Sequence, residues 1–158
     1  MLVLSYPEIK WLGSGKIICI ISKNPIKNIK VFFLYPSKTI KVANFKDGSI
    51  ANDNPNKEAH IRFCAECISS AFIDNIEIFR KIDPFTIWTK EHIEKYVKHR
   101  GAWIHILRVY KTDRALTVKR KTSQTWLKMS EPIFIKNKPI LTDKEFNLQV
   151  NKIKLLLK

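Results

Sequence analysis

Three residues with metal-binding side chains, His60, Cys64 and Cys67, follow one another in an H-x3-C-x2-C spacing. Imidazole and thiolate groups are ligands that zinc commonly takes in proteins, and Cys19 offers a further thiol. The spacing therefore raises the hypothesis of a zinc site with three or four protein ligands.

The neighbouring residues argue against that metal site. The zinc deaminase pattern needs a Glu two residues after its His and a Pro before its first Cys, but Arg62 and Phe63 stand at these positions. The same His and Cys side chains also fall on an apolar stripe at helical spacing, where thiols pack as small hydrophobic groups. We therefore expect no bound metal and no cofactor.

A basic stretch in the last third of the chain surrounds Ser123, Gln124 and Trp126. Cations neutralise phosphates, and an indole offers a stacking surface that accepts any base, which is typical of proteins that bind single strands. The alternative is a solvated loop whose tryptophan fills the core. The cations of this stretch are Arg114, Lys119, Arg120, Lys121 and Lys128.

Other catalytic patterns are weak. His92 and His99 lie in a charged segment and His105 in an apolar one, and the sequence supplies no partner for any of them. A Ser-His-Asp order and a phosphate-binding Gly loop are both missing, and the chain has only 4 Gly. These observations favour a binding protein over an enzyme.

The charge of the chain points to a polyanionic partner. Its 158 residues include 29 Lys and Arg against 14 Asp and Glu, a net charge of +15. The excess is regional, because residues 1–50 carry +6, residues 51–85 carry −2 and residues 86–158 carry +11. Nucleic acid is the expected partner. A genome of biased base composition that enriches Lys and Ile is the alternative explanation.

The same composition suggests where the protein works. Three cysteines are too few for a disulfide framework, the first ten residues do not resemble a secretory signal, and no apolar run approaches the ~20 residues of a membrane span. We expect a cytoplasmic protein that folds as a single domain over residues 1–158.

Helix signals occur at three places. The apolar stripe predicts a helix over residues 58–70, with a strand as the alternative. Thr89 is the expected N-cap of a helix that reaches residue 98 and that Gly101 follows. Thr142 and Glu145 form a capping box at the start of a helix over residues 143–157, whose apolar stripe should dock on a sheet.

The remaining apolar segments predict a β-rich scaffold, with a short turn or helix opened by Pro7 after the first strand. Residues 103–110 have apolar side chains on both faces and should form a central strand. Asp, Asn, Gly and Pro make residues 46–57 an expected loop. The other expected strands are residues 2–5, 16–21, 31–35, 72–80 and 131–135.

Several short blocks, taken in order, resemble the ASCH and EVE domains of the PUA-like superfamily, which are small β-barrels linked to RNA and modified bases. The similarity covers residues 2–135 and leaves residues 142–157 as an additional C-terminal helix. The resemblance implies an α+β fold, a small mixed or antiparallel β-barrel with peripheral helices. The matching blocks are Ser14-Gly15-Lys16, Leu34-Tyr35-Pro36-Ser37, Ile76 to Phe79, Ile87-Trp88, Ile93 to Tyr96 and Ser123-Gln124-Thr125-Trp126.

The resemblance also implies a base-binding pocket in the barrel, in which Ser37 and Gln124 would read a base edge and Trp103 would help to form the wall. Together with the basic stretch, it gives a set of expected nucleic-acid-binding residues. They are Lys16, Tyr35, Ser37, Trp88, Arg114, Lys119, Arg120, Lys121, Gln124 and Trp126.

ASCH-type amidohydrolases, which deacetylate N4-acetylcytidine, use a Lys and a Thr of an early Gly-Lys-x-Thr region together with a Glu. Here Lys16 is followed by apolar residues and Cys19, so the hydroxyl is missing. We therefore expect a module that binds RNA or single-stranded nucleic acid and reads a modified or unpaired base. The alternatives are an amidohydrolase or nuclease that uses Lys16 and a carboxylate such as Glu77, and a protein-interaction module with incidental charge.

Overall fold

The computed structural model describes residues 1–26, 31–37, 45–46, 58–98, 100–119 and 137–157. Within these ranges the chain forms an α+β fold with a six-stranded mixed sheet and four α-helices. This confirms the expected α+β class and the β-rich scaffold. In chain order the elements are β1 (Leu2–Leu4), α1 (Tyr6–Gly13), β2 (Cys19–Ser22), β3 (Val31–Pro36), β4 (Glu58–Ile73), α2 (Ile76–Ile82), a short 3-10 helix (Asp83–Phe85), α3 (Lys90–Val97), β5 (Ala102–Lys119), β6 (Asn137–Pro139) and α4 (Asp143–Leu156).

The sheet is built around the long antiparallel pair of β4 and β5. Its strand order is β1-β3-β4-β5-β2, and β6 pairs with β5 beyond the end of β2. β1 is parallel to β3, and the other pairs are antiparallel. Residues 103–110 therefore belong to an interior strand, as expected, and that strand continues through the first part of the basic stretch to Lys119.

The prediction of a helix over residues 58–70 is wrong, because this segment is strand β4. Two register shifts interrupt its pairing with β5, one between Ile61 and Phe63 and one between Cys67 and Ser69. At the first, the β5 partner changes from Leu116 to Lys111, so the extra residues lie on β5. At the second, β4 has one extra residue, a bulge that reverses the alternation of the side chains after it. Cys64 and its neighbour Ala65 point to opposite sides of the strand and are both buried. Together with the buried Ile61 they show the three- and four-residue spacing of a helix on an extended chain.

The expected strand over residues 72–80 is also wrong beyond Ile73, where β4 ends. The side chain of Asn75 accepts a hydrogen bond from the backbone N–H of Glu77 at 2.9 Å and so caps the first turn of α2. Phe79 and Ile82 bury one face of this helix. Asn is a strong N-cap residue, and here the cap decides the structure of an Ile-rich segment whose composition favours a strand.

Two predicted helix starts are confirmed. The Thr89 hydroxyl accepts from the N–H of His92 and caps α3, and Thr142 and Glu145 form the capping box of α4. Gly101, which joins α3 to β5, has a φ of +64°, and a Cβ at this position would lie 2.6 Å from the carbonyl oxygen of Ile73. A glycine is therefore required where the chain turns from α3 into the sheet.

Each face of the sheet has its own core. Helices α2, α3 and α4 cover one face, where Phe146, Val150 and Ile153 of α4 pack with strand residues such as Ile104 and Ile106. Helix α1 covers the other face, where Leu2 and Leu4 of β1 contribute to the same core. The C-terminal helix thus contributes three buried side chains to a core shared with the sheet. A smaller third cluster contains Tyr35, Ala59 and Ile61.

Candidate functional site

A cleft of about 290 Å³ lies between β1 and β2, the strands at the two ends of the main strand order. The sheet curls far enough for both of its ends to line one cavity, although these two strands are not hydrogen-bonded neighbours in the described sheet. Apolar side chains of β1 and β2 form much of the wall. The polar and aromatic lining consists of Ser5, Glu8, Ser22, Lys23, Asn24, Ser37, Trp88 and Tyr96.

Glu8 is a buried carboxylic acid in this cleft, with only 5% of its surface exposed. It is held by the capping box of α1, in which its Oε2 accepts hydrogen bonds from the backbone N–H of Ser5 at 2.9 Å and from the Ser5 hydroxyl at 2.6 Å. Its other oxygen, Oε1, accepts from the indole N–H of Trp88 at 3.0 Å. Burial raises the pKa of Glu8, and the hydrogen bonds from Ser5 and Trp88 oppose that rise.

Aromatic side chains form one wall of the cleft. Trp88 meets Tyr96 edge to face, with ring centroids 5.0 Å apart, and the ring of His92 lies 4.4 Å from Trp88. His92 and Tyr96 are one turn apart on α3, so that helix presents both rings to the same indole. A backbone bridge between Phe45 and Trp88 holds the segment before α3.

A cation stands at the same wall. The Lys23 ammonium lies 5.2 Å from the centroid of the Tyr96 ring, and the Lys23 side chain is exposed. Burial raises the pKa of the Tyr96 phenol, so this group is a neutral hydroxyl at physiological pH. The cleft thus combines an aromatic wall, a carboxylic acid, a hydroxyl and an exposed positive charge.

His105, on β5, links the cleft to the sheet. It is fully buried, and its Nε2 lies 2.9 Å from Ser22 Oγ while its Nδ1 lies 2.7 Å from Ser70 Oγ. The carbonyl oxygen of Asn24 is a further neighbour at 3.3 Å. Burial lowers the pKa of His105, so the ring is neutral near pH 7 and fixes Ser22 at the edge of the cleft.

The match to known families covers this whole arrangement. A family model for DUF1802, a domain of unknown function, matches residues 1–152. The chain belongs to the DUF1802 family. Neither a curated protein nor a solved structure shows significant similarity to it. All residues that line the cleft fall inside the matched range, and so does most of α4.

Two of the expected binding residues, Ser37 and Trp88, line the cleft of this DUF1802 domain. Tyr35 does not, because it is 1% exposed and packs with Ala59 and Ile61 in the core. Its expected role as a pocket residue is therefore corrected to a structural one. Tyr35 packs in this small cluster while its neighbour Leu34 packs in the core under α1, because successive strand residues point to opposite sides.

Neither Lys16 nor Arg114 lines the cleft. The exposed side chain of Lys16 lies over the ring of Trp11 at 5.2 Å, and Arg114 is exposed on β5. The backbone of Lys119 ends that strand. The remaining residues of the expected set, Arg120, Lys121, Gln124 and Trp126, lie outside the described residues, as does the expected strand 131–135.

Because His60, Cys64 and Cys67 lie on a strand, their spacing does not bring the three side chains to one point. His60 is exposed and its Nδ1 lies 3.1 Å from Thr117 Oγ1, whereas Cys64 is buried. Four residues of extended chain separate them by roughly 13 Å. Cys19 is also buried, which raises the pKa of its thiol to about 12. In the part of the chain that the structure describes, no group of three His, Cys, Asp or Glu side chains is arranged to hold a metal.

The pair considered for catalysis, Lys16 and Glu77, is likewise not assembled at the cleft. Glu77 lies in the first turn of α2, where it forms an ion pair with Arg80, and neither Lys16 nor Glu77 is among the cleft residues.

As for membranes, the helices in the described ranges are all too short or too polar to span a bilayer.

Sequence reasoning missed Glu8, Lys23 and Tyr96 as cleft residues. The Ser5-x-x-Glu8 spacing was available as a capping-box signal, which indicates a helix start but says nothing of burial. The inward orientation of Tyr96 on α3 was predictable, but the neighbour that it faces was not. Lys23 had no signal, because exposed lysines are common in every surface turn.

Proposed function

We propose that this DUF1802 domain binds single-stranded nucleic acid, RNA or DNA, and holds one unpaired or modified base in the cleft between β1 and β2. The observation that carries the proposal is the hydrogen bond between Trp88 and the buried Glu8 at the cleft. It joins an aromatic surface to a fixed polar group within one cavity, which is the combination that recognises a splayed base.

The chemistry of the lining suits a base. A carboxylate oxygen accepts hydrogen bonds from exocyclic amino groups, as Glu does from the N4 amine of cytosine. Among the described residues, Oε1 of Glu8 accepts from the Trp88 indole, and a carboxylate oxygen can accept two hydrogen bonds. The phenol of Tyr96 and the hydroxyl of Ser37 are further polar groups at the cleft.

The size and charge of the site are also suitable. A volume of about 290 Å³ is close to the lower end of the ~300 to 1,000 Å³ typical of small-molecule sites, so one nucleoside is a suitable occupant. Lys23 at the rim can neutralise a phosphate, and the net charge of +15 attracts the rest of a strand.

The PUA-like relationship is part of the proposal. A mixed sheet whose two ends line a common cavity is compatible with an incompletely closed barrel, and the Ile87-Trp88 block of the resemblance contributes the cleft tryptophan. One block departs from it, since Ile76 to Phe79 is helical instead of extended. The absence of a hydroxyl between Ile17 and Ile20 favours binding without acetyl-group hydrolysis.

The decisive experiment compares two fluorescent single strands of about 12 nucleotides that carry equal numbers of phosphates, one with bases and one abasic at every position. We expect tighter binding of the strand with bases, and affinity that falls with salt for both. Lys23→Ala should weaken binding more than Lys152→Ala, a matched change on the exposed side of α4. Equal affinity for the two strands would overturn base recognition, and binding that does not change with salt would overturn the electrostatic part.

A further inference from the structure

A second aromatic feature lies beside the cleft. Phe72 of β4 and Trp103 of β5 are directly opposite each other in the sheet, and their ring centroids are 5.5 Å apart. Phe72 is 50% exposed and Trp103 is partly exposed. This aromatic pair therefore presents a large apolar surface to solvent at the end of the β4–β5 ladder.

The same sheet face is buried farther along the ladder. There Ala65, Leu107 and Val109 lie in the core under α1. The aromatic pair continues this face beyond the part that α1 covers, and among the described residues neither ring belongs to that core. Exposed aromatic side chains that adjoin each other commonly mark a binding surface.

The ring of His105, two residues along β5, supports the orientation of the Trp103 ring. The ring of His105 is nearly parallel to it, at 4° and with 6.4 Å between centroids, and His105 is itself held by Ser22 and Ser70. A ring that is held in place loses little conformational entropy when a ligand stacks on it. The aromatic pair is therefore preorganised for stacking.

The aromatic pair is continuous with the cleft. Ser22 of β2 is the strand partner of Trp103 and also lines the cleft, and Lys23 and Asn24 follow it along the rim. Cα atoms of antiparallel partners are about 5 Å apart, so one strand spacing separates the cleft edge from the indole. A strand that leaves the cleft past Ser22 and Lys23 can therefore reach Trp103.

We infer that the Phe72 and Trp103 pair is a stacking platform for a second base of the strand whose first base occupies the cleft. This inference rests on the proposed function. Its occupant is a nucleic-acid base because the chain carries +15, which attracts a polyanion, and because aromatic faces stack bases of any sequence. The site thus reads two positions of a single strand, one by enclosure and one by stacking.

The test uses Phe72→Ala, together with Phe72→Leu, which keeps an apolar side chain in the strand but removes the ring. Val31→Ala is the matched control, because Val31 is 56% exposed on β3 and lies outside the aromatic pair. Affinity is measured for a nucleoside monophosphate, whose single base we expect in the cleft, and for a labelled single strand of about 12 nucleotides.

Both Phe72 variants should weaken binding of the single strand about 5- to 150-fold and leave binding of the monophosphate and the salt slope unchanged. Val31→Ala should bind both ligands normally. Unchanged strand affinity in both Phe72 variants, while strands with bases still bind more tightly than abasic ones, would overturn the stacking platform alone. If the unmodified chain binds strands with bases no more tightly than abasic strands, the proposed function is wrong.

A protein partner gives a different result. If Phe72→Leu leaves strand affinity unchanged and converts an oligomer of this chain into monomers in sedimentation experiments, the aromatic pair is a contact between copies of the protein. That outcome would also overturn the inference.

Discussion

The indole N–H of Trp88 donates a 3.0 Å hydrogen bond to Oε1 of Glu8, a residue 80 positions earlier in the chain. The bond connects the first turn of α1 to the segment that precedes α3 and fixes both groups at one cleft. It also satisfies a carboxylic acid that burial would otherwise leave with few partners, since its remaining hydrogen bonds come from Ser5.

Replacing Trp88 by Phe keeps an aromatic ring and removes this donor. We expect the free energy of unfolding to fall by about 1 to 3 kcal/mol, because a buried acceptor loses its partner. Base-dependent affinity should fall as well. Urea denaturation measures the first effect. Trp11→Phe is the control, because Trp11 contacts Lys16 and does not line the cleft; equal losses in the two variants would contradict the special role of the Trp88 donor.

Glu8 should make stability depend on pH in the direction opposite to most acids. Because burial raises its pKa in the folded state above the ordinary 4.5, the folded chain holds this proton more tightly than the unfolded chain. Its contribution to the free energy of unfolding is therefore complete below about pH 4.5 and decreases as the pH rises through the folded-state pKa.

The measurement is denaturation of the unmodified chain and of Glu8→Gln from about pH 4 to about pH 8. The unmodified chain should lose stability relative to Glu8→Gln as the pH rises, because Gln cannot ionise. Parallel curves for the two proteins would mean that burial does not perturb this acid.

His105 should have the opposite effect. Burial lowers its pKa below the ordinary 6.5, so the unfolded chain binds the proton more tightly. The contribution of His105 to the free energy of unfolding is complete above about pH 6.5 and is lost as the pH falls through the folded-state pKa. His105→Gln should remove that slope in denaturation experiments, whereas the same change at the exposed His60 should keep it. A slope that survives in His105→Gln must come from other groups.

The basic stretch after β5 is the place where the salt dependence should originate. Changing Lys119, Arg120 and Lys121 together to Ser should reduce the slope of log affinity against log salt by about 0.7 for each phosphate contact that is lost. The equal charge change at Lys144, Lys152 and Lys154 of α4 serves as the control. Equal slopes for the two triple variants would mean that net charge alone, and not this stretch, governs binding.

Trp126→Ala separates stacking from packing in the same stretch. If a base stacks on the indole, affinity should fall by about 1 to 3 kcal/mol while the salt slope remains intact. Titration at several salt concentrations measures both quantities. A variant that unfolds instead would identify Trp126 as a core residue and remove it from the binding site.

Local signals were sufficient for the parts of the fold that local hydrogen bonds decide. The hydroxyls of Thr89 and Thr142 cap the helices that follow them, and the apolar side chains of α4 repeat at the spacing that buries one face. The cap side chain and the backbone N–H that it binds lie within four residues of each other, so both partners are visible in the sequence. The apolar run of β5 was likewise predictable, since a strand covered on both faces has an almost continuous apolar sequence.

Pairing between distant segments decided what the sequence left open. The register shifts between β4 and β5 exist only in the paired strands. Burial of both Cys64 and Ala65 also depends on the sheet, although in the sequence the spacing of the apolar residues indicated a helix. The cap at Asn75 outweighed the strand preference of the residues that follow it.

By itself, the sequence determined the charge, the helix caps, the α+β class and the candidate residues Trp88 and Ser37. Only the tertiary structure brought Glu8, Lys23 and Tyr96 into one cleft with Trp88 and Ser37. It also showed that Tyr35 is buried in the core and does not line that cleft. The physical reason is that the strand order places β1 and β2 at the two ends of the sheet, and both ends line this cleft. Whether a side chain is buried depends on how the strands are arranged, and not on the residues beside it in the sequence.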